Sequence, residues 1–238
     1  QRFRERGSME QEALKNTEHV LGRTPWDEAC TGRIHPERQY HFCNETLREP
    51  FYQGQWEYEK CVRHRIFASN CSYPVKGFHY LLEAFAEVKK NYPDATLMVP
   101  GRGFLPETGK DKLKQDGYRN YLAELVRRYQ LRDSITFLGQ CSAEQMKQAY
   151  LEANVFVLPS TVENSPNSLG EAMLLGVPCV ASDVGGVSTM MKEGEGFVYP
   201  STAPYMLSYY IQKVFAMEDA VREVGRKASA HARLTHDP

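Results

Sequence analysis

The chain has 238 residues, of which 25% are charged and 42% hydrophobic, and its formal net charge is −1. That is the profile of a globular protein rather than a disordered or fibrous one, and it disfavours a nonspecific nucleic-acid binder, whose affinity comes mostly from basic side chains neutralising phosphates. The length suits one full core, or one domain plus part of a second.

The six cysteines (Cys30, Cys43, Cys61, Cys71, Cys141 and Cys179) are scattered singly. Without paired CxxC spacing they read as reduced thiols. No apolar run approaches the ~20 residues that span a bilayer. The opening Gln1 to Arg6 is too charged for a signal peptide, so a cytoplasmic location is expected. The first residue is Gln1 rather than Met, which suggests a piece of a longer protein.

From Gln1 to about Lys60 a helix-like opening gives way to a run rich in aromatic residues, Arg and Glu, with little sustained periodicity. From Val62 the texture changes to short apolar runs alternating with amphipathic segments, the pattern of strands alternating with helices. Strands are expected at Arg65–Ser69, Ala95–Val99, Ile135–Leu138, Val155–Leu158, Cys179–Ala181 and Gly196–Tyr199. Each is short and mostly apolar, as strands covered on both faces are.

Between them, Phe78, Leu81, Leu82, Phe85 and Val88 fall on one helical face, as do Leu122, Leu125, Val126 and Tyr129. Ser142 with Gln145 three positions on predicts a capped helix start, with Met146, Ala149, Tyr150 and Ala153 inward. The tail from Ala203 to Arg233 reads as one or two helices, with Tyr210, Val214 and Met217 on one side of the first. The fold class expected is α/β with a doubly wound parallel sheet. Such sheets bind ligands beyond the carboxyl ends of their strands.

The richest of those ends follows Val155–Leu158: Pro159-Ser160-Thr161-Val162-Glu163-Asn164-Ser165-Pro166-Asn167-Ser168-Leu169-Gly170-Glu171-Ala172. A helix starting near Ser168 would aim free amides and the positive end of its dipole into the crevice, which suits a phosphate. Ser168-Leu169-Gly170-Glu171 equally reads as a capping box, and Glu163 as a solvated loop acid. Two carboxylates also fit a glycoside hydrolase, which needs them facing across a sugar at about 5 to 9.5 Å. A separation of eight residues in sequence does not decide among these.

Beyond the helix come Gly176-Val177-Pro178, Cys179-Val180-Ala181 and Ser182-Asp183-Val184-Gly185-Gly186, where the glycine pair lets backbone come close to a ligand. Taken together, the segment resembles the C-terminal, Rossmann-like domain of GT-B glycosyltransferases of the family 4 type, whose signature is two glutamates separated by seven residues. Here they are Glu163 and Glu171. Pro74-Val75-Lys76-Gly77 resembles the family's lysine-glycine element, and Ala95 to Gly103 and Ile135 to Gly139 take the expected strand and loop positions, so that about 170 residues are covered. The resemblance implies that Lys76 holds the donor diphosphate, that Glu163 lies near the donor sugar and that Glu171 binds the ribose hydroxyls. It implies catalytic roles for Glu163 and Lys76 and donor contacts from Glu171, the amides near Ser168 and Leu169, and the loop of Gly101 and Gly103.

The sequence departs from the pattern twice. Cys71 stands where an arginine usually precedes the lysine, and Val187-Ser188-Thr189-Met190 lacks the glutamate that often follows the glycine pair. Gly22-Arg23-Thr24-Pro25-Trp26-Asp27 and Asn44-Glu45-Thr46-Leu47-Arg48 resemble the end of the first domain and the linker of some bacterial members. On that reading residues 1–61 are the remnant of an N-terminal acceptor domain, residues 62–238 bind the nucleotide sugar, and most of the first domain is missing. The sequence assigns none of the seven histidines to the reacting-carbon role of that domain, and His79 reads as structural.

Other motifs are weak or absent. Gly101-Arg102-Gly103-Phe104-Leu105-Pro106 has proline in place of the third glycine of a dinucleotide fingerprint, and no GxxxxGK[ST] or HExxH occurs. The resemblance implies that the parent carries out retaining transfer from a UDP- or GDP-type sugar to a glycan or lipid-linked acceptor, without a metal or cofactor. Neither nucleic acid nor a transmembrane segment is expected, and peripheral membrane association of the parent is compatible with this reading. A non-catalytic nucleotide-sugar-binding lobe and a GT-B sugar-nucleotide epimerase are the alternatives.

Overall fold

The computed structural model describes residues 2–105 and 116–237; Pro106 of the glycine-containing loop lies outside them. Eight strands are described: β1 (His19–Gly22), β2 (Gln39–Phe42), β3 (Arg65–Phe67), β4 (Thr96–Val99), β5 (Ile135–Phe137), β6 (Val155–Leu158), β7 (Cys179–Asp183) and β8 (Phe197–Pro200). Described helices are α1 (Arg2–Lys15), α2 (Pro25–Ile34), α3 (Phe78–Asn91), α4 (Gly117–Arg128), α5 (Ala143–Glu152), α6 (Asn167–Leu175), α7 (Val187–Met190), α8 (Pro204–Ala216) and α9 (Val221–Thr235).

The six apolar runs expected as strands pair in parallel as one sheet, in the order β5-β4-β3-β6-β7-β8. All four residues of β6 are buried, because helices cover the sheet on both faces. The chain winds outward from β3 through β4 to β5, then returns to lay β6 on the other side of β3. That reversal opens a crevice beyond the carboxyl ends of β3 and β6, where doubly wound sheets take their ligands.

Local signals set the helices. Ser142 accepts from the Gln145 amide at 3.2 Å and Gln145 returns a bond to the Ser142 amide at 2.8 Å, the reciprocal cap expected for α5. The five apolar residues expected on α3 are all fully buried. Helix α6 is buried from Leu169 to Leu175, as suits a helix enclosed on all sides; it ends at Gly176, whose φ of 76° is left-handed.

Two expectations need correction. Residues 19–42 fold as a small βαβ unit in which β1 and β2 pair in parallel, with α2 capped reciprocally by Thr24 and Asp27. Four-residue strands with mostly exposed side chains leave no periodic apolar signal. On α8 the residues packed inward are Leu207, Ile211, Val214 and Phe215, while Tyr210 is only partly buried and stacks on Phe197 at 5.3 Å. The apolar face is rotated from the one expected because Tyr keeps its hydroxyl toward water while burying its ring.

The segment between the βαβ unit and β3 joins the core of the main sheet: Leu47, Phe51, Trp56 and Cys61 are buried in it. The Trp56 indole N–H donates to the Ala153 carbonyl at 2.7 Å, so this aromatic-rich run is packed rather than displayed. The far end of the chain returns to the same segment. Tyr52 Oη donates to the His236 carbonyl at 2.5 Å, and His236 Nδ1 donates to the Glu45 carbonyl at 2.9 Å.

Candidate donor-binding site

A cavity of about 310 Å³ opens at the switch point between β3 and β6. Ser69 and Asn70 follow β3, Pro159, Ser160 and Glu163 follow β6, and Asn167, Ser168 and Glu171 come from the first turns of α6; Lys76 and Arg48 complete the polar wall. Lys76 thus shares one cavity with Glu163, Ser168 and Glu171, which lie at least 87 residues further along the chain.

Lys76 ends a short 3₁₀ turn at Pro74–Lys76. Its Nζ donates to Glu163 Oε1 at 2.7 Å, and Ser160 Oγ donates to the same oxygen at 2.7 Å. The next residue, Gly77, has φ of 63°, and a Cβ there would overlap the Pro159 carbonyl oxygen. Glycine is therefore required for the lysine turn to lie against the end of β6. Thr161 locks the same two loops, its amide donating to the Val75 carbonyl at 2.8 Å.

Glu171 is 3% exposed. Arg48 Nε and Nη2 donate to its two carboxylate oxygens at 2.6 and 2.8 Å, the planar fork-to-fork geometry for which guanidinium is suited. The guanidinium lies 4.7 Å over the Phe51 ring. The capping-box reading of Glu171 does not survive. Helix α6 begins at Asn167 with Pro166 before it and no side-chain cap, so Ser168 lies inside the first turn and the glutamate faces the cavity.

The helix start also refines which amides are available. The Leu169 amide donates to the Pro166 carbonyl at 2.9 Å, and Leu169 is fully buried. Among the described residues the Asn167 and Ser168 amides have no hydrogen-bond acceptor. Gly101 and Gly103 do not line this cavity: the Gly101 amide donates to the Gly139 carbonyl at 2.6 Å, and Gly103 lies against the Phe137 ring.

The glycine pair turns out to approach the protein's own backbone rather than open a path to a ligand. A Cβ on Gly185, whose φ is 55°, would overlap the Glu163 carbonyl, and one on Gly186 would meet Thr24 and the Asn164 carbonyl. The pair lets β7 and α7 press against the Glu163 loop. From the other side Asn164 is gripped by the N-terminal unit: Thr24 Oγ1 donates to Asn164 Oδ1 at 2.8 Å, and Asn164 Nδ2 donates to Asp27 Oδ2 at 2.8 Å. Burial opposes ionisation of Asp27, yet bonds from the Arg23 and Thr24 amides, Tyr40 and Asn164 hold its pKa below the ordinary aspartate value.

Cys71, at the position of the family's usual arginine, is buried, and burial pushes its thiol up to about 11. It is an apolar core residue rather than a phosphate contact. His79 is half-buried between α3 and α4, with Nδ1 3.1 Å from Tyr118 Oη, a structural placement. All six cysteines are unpaired.

Arg48, Ser160, Asn164 and Asp27 are residues at the cavity and its borders that the sequence reading does not single out. Ser160 sits three residues before Glu163, a local signal that could have been read. The Arg48 partner is 123 residues away and left no such trace.

Comparison with known proteins points to one family. Residues 64–231 match the family model described as "Glycosyl transferases group 1". An uncharacterized glycosyltransferase, MJ1607, of Methanocaldococcus jannaschii is 29% identical over 153 residues, covering 63% of this chain and 35% of its own length. Sucrose-phosphate synthase of Thermosynechococcus elongatus superposes with a TM-score of 0.78 at 24% identity, over 95% of this chain and 56% of its own. HepE of Anabaena, solved with UDP-glucose, gives a TM-score of 0.75 at 18% identity, over 92% of this chain and 60% of its own. The chain therefore spans about a third of the curated relative and somewhat over half of the solved neighbours.

Proposed function

The chain belongs to the glycosyl transferases group 1 family, and its parallel sheet matches those of GT-B glycosyltransferases; from that premise we propose that the switch-point cavity holds a UDP- or GDP-type sugar, with Lys76 and Glu163 at the reacting end and Glu171 at the nucleoside end. The observation that carries this reading is the convergence of Lys76, Glu163, Ser168 and Glu171 on one cavity.

The chemistry asks for stabilisation of a departing diphosphate. As the bond between the anomeric carbon and the phosphate oxygen breaks, charge accumulates on that oxygen. Lys76 has three donors, so it can keep Glu163 and still reach a phosphate. The unsatisfied amides of Asn167 and Ser168 and the helix dipole add to the same field. Loss of one such donor commonly costs roughly 10² to 10³ in rate. Glu163, held by Lys76 and Ser160, is aimed for contact with the sugar, and Glu171 accepts from the ribose hydroxyls.

The acceptor, a glycan or a lipid-linked sugar, belongs to a second lobe of the parent protein, of which residues 1–61 are the remnant and linker. The parent transfers with retention of configuration and without a metal, and this chain alone binds nucleotide without turnover. Calorimetry with UDP, GDP and their glucose and mannose conjugates tests the donor site. Heat of binding that falls roughly 10- to 100-fold in affinity in Lys76→Ala, as loss of a charge-assisted bond predicts, supports the reading. Absence of heat with every nucleoside diphosphate and conjugate would end it.

A further inference from the structure

Four charged side chains border the donor cavity: two acids, Glu163 and Glu171, and two cations, Lys76 and Arg48. They are paired one to one, so the resting site is close to neutral. A nucleoside diphosphate sugar brings about two negative charges on its bridging phosphates. Lys76, already shared with Glu163, and the partial charge of one helix end, about half an elementary charge, do not by themselves balance that. The remaining cation is Arg48.

Its geometry leaves room for the task. Bidentate pairing with Glu171 uses the Nε donor and one Nη2 donor; of the five donors of a guanidinium three are unspent, including both on Nη1. The side chain is 45% exposed and lines the cavity. Its position is fixed from below: Phe51, fully buried, underlies the guanidinium, Leu47 beside it is buried, and the Leu47 amide donates to Tyr52 Oη at 3.0 Å. An arginine needed only to neutralise a buried acid would spend its remaining donors on protein. Here they border the cavity that Ser168 also lines.

We propose that Arg48 is a donor-recognition residue, binding a phosphate oxygen through its unspent donors while its other edge holds Glu171 for the ribose; the proposal rests on the donor-site reading above. Arg48 reaches the cavity from the segment before β3, while Cys71, after β3, is buried. One guanidinium thereby couples the ribose contact to the diphosphate contact.

The test compares UDP with uridine, or GDP with guanosine if guanine is the base bound, by calorimetry on the full 238-residue chain. Arg48→Gln should weaken the diphosphate by roughly 10- to 100-fold more than the nucleoside, whose own loss reports the disturbed Glu171 contact. Because Arg48→Gln leaves Glu171 buried and unpaired, the same change is also made in the Glu171→Gln background, where no buried charge needs a partner. The additional loss for the diphosphate should persist there. Equal losses for nucleoside and diphosphate, or disappearance of the effect in the Glu171→Gln background, would overturn the proposal and make Arg48 only a holder of Glu171. A wild-type chain that binds diphosphates with Arg48→Gln binding them equally well refutes Arg48 alone; a wild-type chain that binds none removes the donor-site reading with it.

Discussion

The two ends of this molecule are built by different forces. From β3 to α9 the elements are held by apolar burial: Phe67, Phe85, Phe156 and Leu97 are fully enclosed, and Phe67, Tyr150 and Phe156 pack ring on ring at 4.7 to 6.1 Å. In residues 2–45, α1 and α2 bury no side chain at all, and Phe3 is 90% exposed. What fastens this unit to the rest is polar: Thr24 and Asp27 on Asn164, and Arg23 on Asn167 at 3.1 Å. Apolar burial fixes the frame of the site, and a few directional bonds fix how the N-terminal unit addresses it.

The comparison breaks most readily in the frame. Phe156→Ala should cost about 3–5 kcal/mol by transfer and cavity terms, measured by denaturant melts; a change under about 1 kcal/mol would mean the core is not where it is described. Next comes Gly77→Ala. Its left-handed φ and the Pro159 carbonyl leave no room for a Cβ, so the Lys76 turn must shift, and UDP affinity should fall at least roughly 10-fold, since displacing a bound group by about 1 Å costs on the order of 10² in a catalytic setting.

The polar fastening should give way more gently. Asn164→Ala removes both bonds to the N-terminal unit and should cost about 1–3 kcal/mol, seen as faster hydrogen exchange in β1, α2 and β2 with the main sheet unchanged. The same junction depends on pH. Asp27 has a lowered folded pKa, so its contribution is present in full above the ordinary value of 3.8 and is lost as pH falls through the lowered value. Asp27→Asn should flatten that part of the acid transition. Smallest of all, Phe3→Ser should change stability by no more than about 0.5 kcal/mol; a larger loss would show that α1 is packed in solution.

Much of the frame is legible in the order of residues alone. All six strands of the main sheet and α3 to α6 fall where the apolar runs and the Ser142 cap put them, because burial on both faces writes itself into short continuous patterns; the four-residue α7 has no such run. The small βαβ unit is not legible in this way, since exposed four-residue strands carry no such pattern. In the site, Lys76, Glu163, Ser168 and Glu171 stand out through their order along the chain. Whether Glu171 caps its own helix or faces a ligand does not follow from spacing, because both uses put an acid three residues past a serine.

By itself, then, the sequence determined the parallel α/β frame and the loop that carries the two acids, since both depend on contacts a few residues apart or on local apolar period. Only the tertiary structure decided the partners: Arg48 on Glu171, Thr24 and Asp27 on Asn164, Gly185 against the Glu163 carbonyl. Those pairs lie from 22 to 140 residues apart. They exist because β6 returns to the far side of β3 and the C-terminal helix folds back over α6, which brings the segment before β3 to the mouth of the cavity. A polar side chain carries no mark of its distant partner in its own neighbourhood; packing supplies the partner, and direction and distance then make the bond.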